Sequence, residues 1–132
     1  MNSKGAFASV ASEYIFICLP FIILSIVRLH QDRADDLLTT SDWGIASGII
    51  YGQLIVRLAA ALAGTSRPKK LPAITLNLTI LVCLGLSINL VIYSLMLTSP
   101  TDTLGYFQLL LFLAASACHF IYGIAINKIS QT

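Results

Sequence analysis

Three titratable side chains stand inside long apolar stretches of this 132-residue sequence: Glu13, Arg57 and His119. Gln53 precedes Arg57 by one helical turn and shares its face, and Asn89 interrupts another apolar run. An acid, a cation and an imidazole at similar depth in a low-dielectric medium can do one of two things. They can line a path for ions or protons, gated by an imidazole that ordinarily titrates near physiological pH. Or they can clasp helices together, most simply through a Glu13–Arg57 bridge that relieves burial of the guanidinium. The clasp is the favoured reading. For Arg57 alone the competing account is snorkelling, in which its long stem carries the charge to the headgroups.

The elements that must hold these groups follow from composition. Apolar residues make up 57% of the chain and charged ones 11%, with a mean hydropathy of +0.85 and a net charge of +2. A chain this small has too much surface for its volume to hide so many apolar side chains within itself. The solvent for most of it is therefore lipid, which sets aside a soluble enzyme, a nucleic-acid binder and a secreted disulfide scaffold. A membrane helix needs about 20 mostly apolar residues, and the gaps between charges supply four such runs, over about residues 10–27, 43–64, 71–97 and 104–127. The runs lack the alternation of strands, and a barrel needs many more of them. The expected architecture is all-α, a single polytopic domain of four transmembrane helices spanning residues 1–132.

Direction follows from the cations of the short loops. Thr65-Ser66-Arg67-Pro68-Lys69-Lys70 is basic without an acid, whereas the first loop sets Arg28 and Arg33 against Asp32, Asp35, Asp36 and Asp42, and the last holds only Asp102. The basic connection is expected on the cytoplasmic side, and with it both termini, which carry Lys4 and Lys128. By pattern the N-terminal apolar run has no small-residue cleavage site after it.

In the second run Gly44, Gly48, Gly52, Ala60 and Gly64 recur at four-residue spacing, interrupted by Val56. Lipid gives helices no hydrophobic reason to associate, so close backbone approach along such small residues is a main source of packing energy. The stripe is expected to pack against another span, against a second copy of the chain, or both. In the third run Asn77, Gly85, Asn89 and Tyr93 share one four-residue row, which points to interhelical hydrogen bonds. Pro20 interrupts the first run and should bend it. Cys18, Cys83 and Cys118 fall in different runs without metal or redox spacing and read as packing residues. The acidic first loop is either a solvated surface or a concentrator of cations. No nucleophile elbow, phosphate loop, HExxH or pair of inward carboxylates occurs, so no catalytic, cofactor or metal site is expected.

Several of these pieces together resemble the small four-span membrane component of the Rex exclusion system of lambdoid phages. They are Tyr14-Ile15 with Pro20-Phe21-Ile22-Ile23-Leu24-Ser25-Ile26, the Ala-rich end of the second run leading into Ser66-Arg67-Pro68-Lys69-Lys70-Leu71, and the Ala/Ser run with His119. A second family of similar architecture is the membrane component of Kiwa-type phage defence. The resemblance implies a bacterial inner-membrane protein that works with a cytosolic partner. In the Rex case it implies an ion channel that depolarises the cell, and in the Kiwa case an oligomeric sensor of infection. Either way Arg67, Lys69 and Lys70 would be the docking surface for the partner, with contact to anionic headgroups as the simpler alternative. The expected function is a non-enzymatic, homo-oligomeric sensor of membrane perturbation in phage defence, with the lipid bilayer and a cytosolic protein as partners and no direct contact with nucleic acid. The alternative is an ion-conducting pore, and a small-solute transporter stands third because no pair of helix breaks marks a midplane site.

Overall fold

A computed structural model describes residues 3–64 and 71–129. Among them every long element is helical and no strand occurs. The order is α1 (Ser3–His30), a short α2 (Asp36–Thr39), α3 (Asp42–Gly64), α4 (Leu71–Ile80) continuing through a π turn (Leu81–Leu86) into α5 (Ser87–Thr98), and α6 (Asp102–Ile129). α4, the π turn and α5 form one continuous span, so four helices are long and apolar enough to cross a membrane. The protein is an all-α, four-helix transmembrane fold. α1 runs beyond its apolar stretch at both ends, and its C-terminal end carries Arg28 and His30. The chain then turns through Asp32, whose φ of 55° is left-handed, a conformation that Asp tolerates because its short side chain bonds locally.

α3 and α6 lie along each other as the centre of the bundle. α1 packs on α6 and more loosely on α3, while the third span packs on the other side of the same pair. Ile50, Tyr51, Leu54 and Leu58 of α3 meet Ile17, Ile74, Leu81 and Ala115 in the core. Large apolar side chains such as Phe16, Val56, Leu110 and Ile121 point outward, as they can where the solvent is lipid.

The π turn was not foreseen, and it matters to register. Ser87 directs both its N–H and its hydroxyl to the Val82 carbonyl, the latter at 2.9 Å, a five-residue reach that accommodates one extra residue. Beyond that residue, Gly85, Asn89 and Tyr93 all look toward α3: Gly85 sits against the Tyr51 ring, Asn89 against Gly48, and Tyr93 against Gly44. Asn77, before the turn, is instead bonded by the Tyr122 hydroxyl of α6 at 2.9 Å. The four-residue row is thus divided between two neighbours.

Candidate functional site: two polar clusters and a lateral groove

The first cluster belongs to the half of the bundle nearest the basic connection. Arg57 stands on α3 about seven residues, or about 10 Å, short of Gly64. Its guanidinium forms an ion pair with Glu13 of α1. Each side chain keeps about a third of its surface open (28% for Arg57, 37% for Glu13), so the pair is half sealed. His119 of α6 does not join it. Its ring is fully buried and bonds through Nε2 to the Val10 carbonyl at 3.2 Å. A carbonyl can only accept, so Nε2 carries the proton and Nδ1 is left as a buried acceptor without a partner. Beside it, Ser116 spends its hydrogen on the Phe112 carbonyl, which leaves the Tyr14 hydroxyl as donor to Ser116 at 2.7 Å. The Tyr14 ring lies 5.7 Å from that of His119. Val10, Tyr14 and Ile17 recur at helical spacing, and this is the face that α1 turns to the bundle. α6 comes so close there that a Cβ on Gly123 would stand 3.0 Å from both Val10 methyls.

The second cluster closes the opposite, acidic end. Gln108 of α6 is fully buried; it donates to the Thr40 carbonyl at 2.6 Å and accepts from the Gly44 N–H at 3.1 Å. Asn89 donates to the Gly44 carbonyl at 2.9 Å. These amides tie the third span and α6 to the backbone around the start of α3, two of the bonds going to carbonyls and one coming from the Gly44 N–H, which also reaches the Ser41 carbonyl at 3.0 Å. Trp43 adds a bond from its indole to the Leu37 carbonyl at 2.7 Å, and Arg28 reaches back from the end of α1 to Asp42 at 3.0 Å. Arg33 takes Asp36 at 2.5 Å. Two acids of the first loop are therefore neutralised locally, while Asp32 and Asp35 remain exposed.

Between α1 and α3, on the outer side of the Glu13–Arg57 pair, an open groove of about 880 Å³ is lined by Phe16, Ile17, Pro20 and Phe21 from α1 and by Ile49, Gly52, Gln53 and Val56 from α3. Pro20 has no N–H, so the Phe16 carbonyl loses its helical donor on the wall of this groove.

The small-residue stripe requires a correction, because its members do not share a face. A Cβ on Gly44 would lie 3.0 Å from Gln108 Oε1 and 3.1 Å from Tyr93, and one on Gly48 would lie 3.3 Å from Asn89. Gly52 and Gly64 have nothing within 4 Å of that position, and Ala60 is exposed. The reason is geometric: each four-residue step on an α-helix advances by about 40°, so the series from Gly44 to Gly64 winds about 200° around α3. Gly44 and Gly48 pack within the chain, and the later members look outward. Cys18 is buried, Cys83 exposed and Cys118 between, all as free thiols. Arg67, Lys69 and Lys70 lie outside the described residues.

Gln108 was missed at the sequence level, although an amide in a run without formal charge is the same signal that drew attention to Asn89. Gly105 left no signal at all. A Cβ there would come far inside van der Waals contact distance of the Leu38 carbonyl oxygen, a backbone atom of α2 that no rotamer change can move. Comparison with protein-family models, curated proteins and solved structures finds no match to this chain.

Proposed function

We propose that this protein is a non-enzymatic, homo-oligomeric component of a bacterial inner membrane, acting in phage defence by sensing perturbation of the bilayer and engaging a cytosolic partner. One observation carries the choice of sensor over pore. Asn89 and Gln108 bond the backbone around the start of α3 at the acidic end, with Asn89 Oδ1 left as a buried acceptor without a partner, His119 bonds Val10 of α1, and Arg57 is paired with Glu13. These groups sit in separate interhelical contacts and do not connect into one polar path through the subunit, as conduction within the subunit would need. A bundle of this kind is held by a few polar clasps and by packing, so bilayer stress can shift its helices and the shift can be passed to a protein bound at one end. In this reading the connection Arg67-Pro68-Lys69-Lys70 and both termini face the cytoplasm, and the cationic connection is the docking surface. The phage-defence assignment draws on the resemblance to Rex and Kiwa membrane components.

A pore between subunits is the second reading, favoured by the outward exposure of Gln53 and of part of the Glu13–Arg57 pair along the groove. Two measurements together test the choice. Potassium and proton flux from liposomes carrying the purified protein, with Arg57→Ala alongside, should be absent in both. Phage plating on cells expressing the gene with its neighbours should be reduced, and losing that protection with Arg67, Lys69 and Lys70 reversed to Glu, after an accessibility check that topology is kept, would support docking there. Flux that disappears in Arg57→Ala would replace the sensor with a channel.

A further inference from the structure

Gln53 stands at the midpoint of α3 (Asp42–Gly64), the middle of the bilayer for a helix that crosses it, and its side chain faces outward. The exposed hydroxyl side chains of the third span return their hydrogens to their own helix: Thr75 to Leu71, Thr79 to Thr75, Ser87 to Val82 and Ser94 to Leu90. Gln53 makes no such bond. A free primary amide in hydrocarbon is unfavourable because no water is present to take its place, so the position calls for a partner from outside the chain.

We propose that a second copy of this protein docks in the α1/α3 groove, α3 against α3, with the two Gln53 amides bonded to each other across a twofold axis. This rests on the homo-oligomer reading and names its surface. Copies inserted in one membrane share an orientation, so the axis relating them is parallel to the membrane normal and returns every residue to its own depth. At the depth of Gln53 the matching polar group is therefore the other Gln53. An amide has both a donor and an acceptor, which makes it self-complementary in a way that the charges of the groove are not. Gly52, with open space where a Cβ would be, permits close approach, and Ile49 and Val56 supply apolar contact one turn to either side. The Glu13–Arg57 pair lies at the groove's basic end and is neutralised within each copy, so it sets no like charges against each other.

The test uses the full chain in nanodiscs, with mass measured by native mass spectrometry, and oxidative cross-linking in a background with all three cysteines replaced by alanine. Val56→Cys reports on the groove and Ile121→Cys on the outer face of α6, both positions being strongly exposed. The expected results are a wild-type mass of two chains or a multiple of two, a cross-link at Val56, and a dissociation constant raised about five- to thirty-fold by Gln53→Leu. Gly52→Leu, whose Cβ has nothing within 4 Å in its own chain, should yield monomers of unchanged helicity. An oligomeric mass without a Val56 cross-link overturns the groove interface and leaves the homo-oligomer reading intact. A monomeric wild type overturns that reading itself, with lipid chains filling the groove.

Discussion

Removing both members of the Glu13–Arg57 pair should destabilise the bundle by less than the sum of the two single removals. An Arg at the centre of a membrane helix is unfavourable by about 2.5–3.5 kcal/mol on insertion scales. Arg57 is about 10 Å from the basic end and about a quarter exposed, at 28%, so snorkelling offsets part of that when its partner is lost. Removing one partner of a fully buried pair costs about 3–5 kcal/mol, and fully exposed pairs contribute about 0.2–1 kcal/mol. A pair that is about one-third open belongs between them. Glu13→Ala should therefore cost about 1–3 kcal/mol, Arg57→Ala about 1–2 kcal/mol, and the double variant should fall short of their sum by about 1–2 kcal/mol. The assay is SDS titration in mixed micelles, followed by fluorescence of Trp43, the single tryptophan of the chain. A charge-exchanged Glu13→Arg/Arg57→Glu variant should regain part of the loss. Additive single effects, with a coupling below about 0.3 kcal/mol, would refute the argument and leave Arg57 as an independent snorkelling cation.

Gln108→Leu keeps the side-chain volume but abandons the Thr40 carbonyl and one partner of Gly44, so it should cost about 1–3 kcal/mol in the same titration and shift Trp43 emission to the red. Gly105→Ala must displace α2 through a backbone contact and should cost about 1–3 kcal/mol, whereas exposed Thr103→Ala beside it should stay within about 0.5 kcal/mol. Gly85→Ala places a Cβ 2.7 Å from two Tyr51 ring carbons, and Tyr51→Leu in the same chain should restore part of the lost stability; a failure of that rescue would mean that the π turn, not the ring, fixes the position.

The sequence by itself determined that there are four helices long and apolar enough to cross a membrane, because removing backbone polar groups from water compels a helix wherever about 20 apolar residues run together. It also made visible the groups that need partners, among them Glu13, Arg57, Asn89 and His119, since each is costly in hydrocarbon. Which side of each helix faces its neighbours was not legible. In water, apolar periodicity marks the inward face, but lipid tails are as apolar as leucine, and helices that are apolar all round carry no such mark. Only the tertiary structure decided that Gly44 and Gly48 turn inward while Gly52 and Gly64 turn out, that the π turn divides Asn77 from Asn89, that His119 bonds Val10 and not the neighbouring charges, and that Gly105 lies under a carbonyl of α2. Those choices depend on shape and on individual hydrogen bonds between segments far apart in the chain, quantities that exist only once the helices have been brought together.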